Sequence, residues 1–203
     1  MDRSSYTLPL LYLVSSILFI GCASFPKRSV IDQSPIILKI SSINGRYELE
    51  PIYSGPTKDT ARTWNLTSSD LGVYHTFYDE LNNGWLTKKI IVDPSKRYSF
   101  TIEVIDNKKL AIDYLEGDSI IRQKKIRFGI RNDGYLYLKN RSFKMRGIPY
   151  LFGDIDKKRI RLTLNRDNNL LFETAEFHSG GLFLLMINPF TKMKYEKIFL
   201  RIE

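Results

Sequence analysis

Two histidines and one cysteine limit the side-chain chemistry open to this 203-residue chain. His75 and Asp79 are four residues apart, which places both on one face of a helix, where the carboxylate could orient the imidazole as a base. The alternative is a packed histidine whose N–H is satisfied by a neighbour. His178 and Ser179 are adjacent, and adjacent strand residues point to opposite faces, so this pair diverges. The sequence therefore assigns no catalytic residue.

Metal and cofactor sites lack their usual sequence signals. A structural zinc site takes four cysteine or histidine ligands, and the chain has too few of both. It contains no His-Glu-x-x-His, no Gly-x-Ser-x-Gly and no phosphate-binding glycine loop. The sequence thus predicts no metal and no cofactor, and it favours a non-catalytic protein over an enzyme.

The cysteine closes a short apolar segment near the N-terminus. Residues 8–20 are too few for a membrane span of about 20 apolar residues, but they suit the core of a signal peptide. Leu18-Phe19-Ile20-Gly21-Cys22 resembles a lipobox, the site where bacterial lipoproteins are cleaved and acylated. The resemblance implies cleavage between Gly21 and Cys22 and a lipid anchor on Cys22. The alternative is an uncut anchor helix.

Three parts of the chain follow from this interpretation: a signal peptide (1–21), a lipidated cysteine with a polar tether (22–43) and a β-barrel domain (44–203). Hydrophobic residues at 43% and aromatic residues at 13% are enough for a core without disulfides. The net charge of +9 suggests phosphate or carboxylate partners. Nucleic acid fits the charge but not the compartment that a lipoprotein occupies. The alternative to an anionic partner is a basic surface that contacts only solvent.

The domain reads as a series of short strands. A first strand covers 44–50 and is broken by Gly55-Pro56; later strands include 86–92, 98–104, 110–114, 126–130 and 159–164. Turns are expected at Glu116-Gly117-Asp118, Asn132-Asp133-Gly134 and Asp167-Asn168-Asn169. The basic residues of these strands are expected to face solvent or an aqueous lumen: Lys125, Arg127, Arg159 and Arg161. The sequence predicts an all-β, single antiparallel up-and-down β-barrel of about ten strands, because closure removes exposed edges.

One helix is expected after the first strand. It covers 69–81, where an apolar stripe is formed by Leu71, Tyr74, Tyr78 and Leu81. With Trp64 and Trp85 these residues are the candidate lining or lid of a ligand pocket, although aromatic residues at such spacing also make ordinary core. Segment 140–156 is expected to be a loop at the barrel rim.

Gly45-Arg46-Tyr47, followed by a helix and then about nine strands, resembles the calycin plan of lipocalins and fatty-acid-binding proteins. Lipocalins open with Gly-x-Trp, and fatty-acid-binding proteins insert helices between their first two strands. The resemblance implies an interior that holds a small apolar ligand. It also implies a helix that lies across the barrel mouth.

The chain also resembles small uncharacterised lipoproteins of Bacteroidota, through Asn44-Gly45-Arg46-Tyr47, Gly134-Tyr135-Leu136-Tyr137 and Arg159-Ile160-Arg161-Leu162. Acidic residues after the lipidated cysteine often direct such proteins to the cell surface. None follows Cys22 directly, which implies an outer-membrane anchor facing the periplasm. Thr60 and Ser119 match the O-glycosylation pattern of that phylum.

The expected function is therefore that of a lipid-anchored, non-catalytic protein. Its partners would be the membrane, through the anchor, and a small lipid-like ligand or an anionic envelope component. The alternative is an envelope assembly protein with a filled core and no ligand. The barrel interior separates the two, because a carrier needs a cavity of about 300 Å³ or more.

Overall fold

The computed structural model describes residue 25 and residues 39–56, 76–82, 90–148, 152–182 and 191–203. For 140–148, 152–156, 178–182 and 191 it describes the backbone alone. These residues form a 3₁₀-helix (Ile40–Ile43), the helix α1 (Phe77–Asn82) and the strands β1 (Gly45–Glu48), β2 (Tyr53–Pro56), β3 (Tyr98–Asp106), β4 (Lys109–Glu116), β5 (Ser119–Ile130), β6 (Leu136–Ile148), β7 (Phe152–Leu164), β8 (Leu170–Leu182) and β9 (Thr191–Phe199).

The described strands form one antiparallel sheet in the order β1-β3-β4-β5-β6-β7-β8-β9-β2. Strands β3 to β9 are neighbours in both sequence and space, so they make a meander, and β1 and β2 cover its two edges. The sheet curls into a barrel-like shape. The predicted all-β, barrel-like fold with an inserted helix is confirmed. The helix follows β2, a short edge strand that the sequence did not indicate.

The residues after β9 join the two ends of the sheet. The N–H of Glu48 donates to the carbonyl oxygen of Leu200 at 2.9 Å, and the N–H of Ile202 donates to that of Arg46 at 2.8 Å. On its other side β1 pairs with β3. Strand β1 therefore has a partner on both sides, which removes an exposed sheet edge.

Gly45 lies where the C-terminus crosses β1. A Cβ at this position would be 2.7 Å from the carbonyl oxygen of Glu203 and 2.8 Å from the guanidinium of Arg201. Arg201 also donates to the carbonyl oxygen of Ser42 at 3.1 Å. Its guanidinium carbon lies 5.7 Å from the ring centre of Tyr47. Position 45 therefore needs a glycine, because a side chain there would clash with Arg201 and Glu203.

The core occupies the concave face of the meander and is built around four aromatic rings. Phe77 of α1 stacks on Phe100 with ring centres 3.8 Å apart and meets Phe199 and Phe172 edge-on at 5.2 and 5.7 Å. We call these four residues the aromatic layer. The apolar residues around it alternate along their strands as the sequence predicts: Ile102, Ile112, Phe128, Leu136, Leu162 and Leu170. Full burial of one such side chain contributes about 1.5–3 kcal/mol.

The predicted turns adopt the backbone that their residue types favour. Gly117, Gly134 and Asn168 have φ of 59°, 80° and 63°, in the left-handed region that Gly and Asn enter at the lowest cost. Each lies in one of the three turns named from the sequence.

The expected rim loop at 140–156 is wrong. Strand β6 continues to Ile148 and β7 begins at Phe152, and the two residues face each other at the end of the ladder. Gly147 and Gly153 are also opposite each other. The glycines therefore pair across the hairpin, although their presence in the sequence suggested a loop.

Two further expectations are corrected near α1. Residues 90–92 were assigned to a strand, yet within the described part of the chain they pair with no strand; Ile90 and Val92 pack on the core instead. Gly55-Pro56 was expected to break the first strand but ends β2. Proline is tolerated there because an edge strand does not need every N–H.

Candidate functional site

Most of the residues proposed from the sequence for lipidation and the pocket lie outside the described residues: Gly21, Cys22, Thr60, Trp64, Leu71, Tyr74 and Trp85. His75 also lies outside them. Ser119 begins β5 and is exposed. Tyr78 and Leu81 are buried in α1 and belong to the core.

In the part of the chain that the structure describes, α1 begins at Phe77, eight residues after the first residue of the predicted helix. The reason is a capping box. The hydroxyl of Thr76 accepts a hydrogen bond from the N–H of Asp79 at 3.2 Å and donates to its carboxylate at 2.8 Å. Asp79 therefore holds the helix start, a different role from the one suggested with His75. Residues 69–75 lie outside the described part.

Three side chains fix α1 against the concave face of the sheet. Phe77 fills the aromatic layer. Tyr78 meets Tyr114 edge-on with ring centres 4.9 Å apart. At the other end, the ammonium of Lys124 donates to the carbonyl oxygen of Leu81 at 2.9 Å, and burial lowers the pKa of this lysine. The helix consequently lies inside the curl and not on the outer wall.

Along β7, β8 and β9 the concave face changes from apolar to charged. Two residues before Ile160 comes Lys158, and the next concave positions after Phe172 are Thr174 and Glu176. On β9, Tyr195 and Lys197 share the face of Phe199. With Glu80 of α1, these charged and phenolic residues form what we call the interior cluster: Glu80, Lys158, Glu176, Tyr195 and Lys197.

The carboxylate of Glu80 is the centre of the interior cluster. Its Oε2 accepts hydrogen bonds from Lys158 Nζ at 2.6 Å and from the Tyr195 hydroxyl at 2.8 Å. Its Oε1 lies 2.8 Å from Lys197 Nζ. The Glu80 side chain is 0% exposed, so these contacts replace water completely. One carboxylate on the helix is thus held by two hydrogen-bond donors and one further ammonium group on the wall.

Glu176 provides the second negative charge of the interior cluster. Its Oε1 is 3.1 Å from Lys158 Nζ and 3.1 Å from the Tyr195 hydroxyl oxygen, whose one proton makes the shorter hydrogen bond to Glu80. Two carboxylates then balance two ammonium groups. Since a buried charge is costly unless it is paired, this balance is what makes the cluster tolerable in the interior.

The titration of the wall residues suits them to binding an anion. Burial by itself disfavours the charge on Lys158, but Glu80 and Glu176 outweigh it, and the pKa of Lys158 is raised. Burial and the same two carboxylates raise the pKa of Tyr195 well above its usual value. Near neutral pH both groups therefore keep their protons and act as donors. Protonated groups of this kind bind a negatively charged group, whereas a general base must take up a proton.

A second polar group lies on the convex face of β6 to β8. The guanidinium of Arg161 donates to Glu173 at 2.6 Å and lies 3.9 Å from the ring centre of Tyr135. Arg161 is 2% exposed, so the expectation that it faces solvent or a lumen is wrong. Burial raises the pKa of Glu173 even though Arg161 opposes the shift.

Part of this convex face is covered by Phe25. Its ring meets Tyr137 edge-on with centres 5.6 Å apart, and the guanidinium of Arg161 lies 4.6 Å from its centre. Phe25 also packs on Ala175 and Phe177. A residue from the predicted tether therefore contacts the barrel wall.

Strand periodicity could have located part of the interior cluster. Lys158 lies two residues before Ile160, and Lys197 lies two residues before Phe199, so each lysine shares a strand face with a core residue. Both lysines read as solvent residues because charged residues are almost never buried unless paired. Their partner Glu80 is on the helix, and no sequence signal connects it with them.

Known proteins add nothing to this assignment: no family model matches the chain, and no curated protein or solved structure is significantly similar to it. Among the described residues, no helix is long and apolar enough to span a membrane. In the same part of the chain, no group of three or more His, Cys, Asp or Glu side chains is arranged to hold a metal ion.

Proposed function

We propose that this chain is a lipid-anchored, non-catalytic lipoprotein that faces the periplasm and binds an amphiphile with an anionic head group inside its barrel. The anchor is supported by the lipobox ending at Cys22. The ligand class is supported by the interior itself, which is apolar around the aromatic layer and charged at the interior cluster.

The observation that carries the ligand proposal is the position of Glu80. Its carboxylate comes from α1, while the three groups that hold it come from the wall: the hydrogen-bond donors Lys158 and Tyr195, and Lys197 as an ion pair. A carboxylate or phosphate on a ligand could bind the same three groups. Glu80 then acts as the protein's own occupant of an anion site, and it yields the site when a ligand enters.

The last turn of α1 is the part that must move in this exchange. Phe77 keeps the first turn in the aromatic layer, whereas Glu80 and Leu81 lie one turn further on. Lys124 restrains that turn through the carbonyl oxygen of Leu81. Replacing Lys124 by Met should therefore ease ligand entry.

A specific observation favours the alternative, an assembly protein without a ligand. The aromatic layer closes part of the interior, with rings as close as 3.8 Å, and leaves no room for a ligand between them. If the rest of the interior is equally filled, the interior cluster only locks α1 to the wall.

Binding of cis-parinaric acid, a fluorescent fatty acid, separates the two functions. The carrier proposal expects saturable binding by the full-length protein, weakened by Lys197→Met. Glu80→Gln should bind the probe about tenfold more tightly, about 1.4 kcal/mol, because it removes the competing charge. Glu116→Gln is the matched control, since Glu116 pairs with Lys96 at the surface.

Equal, non-saturable probe signals in all of these variants would defeat the carrier and leave the assembly function. The anchor is tested separately by metabolic acyl labelling of the wild type and of Cys22→Ser. An unlabelled wild type would remove the lipoprotein assignment, whatever the probe shows.

A further inference from the structure

The contacts of Phe25 fix where the N-terminal segment meets the barrel. Phe25 lies against Tyr137 of β6 and under Arg161 of β7, on the convex face. Phe25 is only three positions after Cys22, with two residues between them. At about 3.3–3.6 Å per residue, the anchor can be no more than about 11 Å from this contact.

The strands beside this contact carry exposed positive charge. The guanidinium of Arg131 lies 4.4 Å from the ring centre of Tyr137, the residue that touches Phe25. The side chain of Lys139 passes over Gly129, where a Cβ would meet its Cε at 3.7 Å. Gly129 is opposite Tyr137 in the ladder, so these groups are neighbours.

The positive surface continues along β5. Arg127 and Lys125 precede Gly129 at alternate positions, on the same convex face, and both are exposed. We call the four exposed residues the basic patch: Lys125, Arg127, Arg131 and Lys139. The neighbouring convex face of β4 differs, because Asp113 lies there opposite Gln123 of β5.

Nearby acidic groups are already engaged. Glu173 is held by Arg161, and Asp133 accepts a hydrogen bond from the Tyr137 hydroxyl. The patch therefore keeps a positive field next to the point where the chain leaves for its anchor. Such fields attract anionic lipid head groups and fade within a Debye length, about 8 Å at physiological salt.

We propose that the basic patch is the membrane-facing surface of the barrel and lies on the anionic bilayer that holds the anchor. The inference rests on the lipid anchor of the proposed function, but not on the interior ligand. The anchor keeps the patch close to the bilayer, and Phe25 sets which wall is presented. The edge strand β2, which lies four strands beyond β6 in the sheet, then points away from the lipid.

Collisional quenching measures this orientation. The acylated protein is placed in vesicles of anionic lipid containing head-group nitroxides, with one fluorophore on Gln123→Cys or on Ile52→Cys. Cys22 is blocked by its thioether. Gln123 is exposed on β5. Ile52 is 59% exposed, directly precedes the edge strand β2 and donates its N–H to the carbonyl oxygen of Ile198 in β9. Quenching should be at least about twofold stronger at position 123, and the difference should vanish in about 1 M salt, which screens beyond 3 Å.

The charge dependence is tested with a matched pair of double variants. Arg127→Gln/Lys139→Gln should abolish the difference between the two positions. Lys96→Gln/Arg97→Gln removes the same charge from surface ion pairs with Glu116 and Glu48 and should preserve it. Equal quenching at both positions in the parent protein would overturn the orientation. A protein that does not sediment with vesicles would instead show that the anchor itself is absent.

Discussion

Replacing Glu80 by Gln should destabilise the fold in a way that a second substitution repairs. Glu80→Gln leaves the ammonium groups of Lys158 and Lys197 facing one carboxylate, Glu176, inside the barrel. Removing one partner from a buried ion pair costs about 3–5 kcal/mol, because the remaining charge is uncompensated. In a domain of this size, about 2–4 °C is lost per kcal/mol, so the melting temperature should fall by about 6–20 °C.

Neutralising one lysine as well should recover part of that loss. Glu80→Gln/Lys197→Met retains one ammonium and one carboxylate, Lys158 and Glu176, which are 3.1 Å apart. The double variant should be more stable than Glu80→Gln alone, with a coupling energy of about 0.5–3 kcal/mol from the cycle of four proteins. Urea unfolding followed by far-ultraviolet circular dichroism gives the four free energies.

The surface pair Lys96 and Glu116 supplies the control cycle. Its lysine side chain is 50% exposed, and such pairs contribute about 0–1 kcal/mol. Additive losses in the Glu80 and Lys197 cycle, within about 0.5 kcal/mol, would refute the claim that these two charges depend on each other.

Three further outcomes are expected. Phe77→Ala should cost about 3–5 kcal/mol in urea unfolding, and a loss below about 1 kcal/mol would mean that α1 is not docked in solution. Gly45→Ala should cost about 1–3 kcal/mol, because a Cβ lies 2.7 Å from the carbonyl oxygen of Glu203; an unchanged melting temperature would contradict that crowding. Stability should also fall as the pH rises above about 10. The pKa values of Lys158 and Tyr195 are raised in the folded state, so unfolding releases their protons and is favoured at high pH. A melting temperature that stays constant between pH 8 and 11 would contradict this prediction.

Local patterns in the sequence were sufficient for the meander. Alternation of apolar residues located β3, β4, β5 and β7, and the glycines and asparagine of the turns adopt the left-handed backbone expected of them. These features depend on residues close together in the chain. They are therefore visible in the sequence before any tertiary contact is known.

Features that depend on distant contacts were not predictable. Thr76 starts α1 through a local capping box, but Glu80 is buried only because Lys158 and Lys197 come to it from strands 78 or more positions away. In the same way, Arg161 reads as a solvent residue until Glu173 and Tyr135 are placed beside it. A charged residue in a strand can be assigned to the interior only when its counter-ion is known.

The junction between β1 and the C-terminal residues has a consequence for the order of folding. It unites groups as far apart in the chain as Arg201 and Asn44, 157 positions away, and the aromatic layer also needs Phe199. A chain that emerges from its N-terminus can form hairpins from β3 onward, yet it cannot complete this seam until residues 199–203 have appeared. Such long-range closure is slow compared with hairpin formation. An emerging chain can pair one side of β1 with β3, but the other side of β1 and the core stay incomplete until residues 199–203 are available. Those five residues are therefore the step that commits the molecule to its folded state.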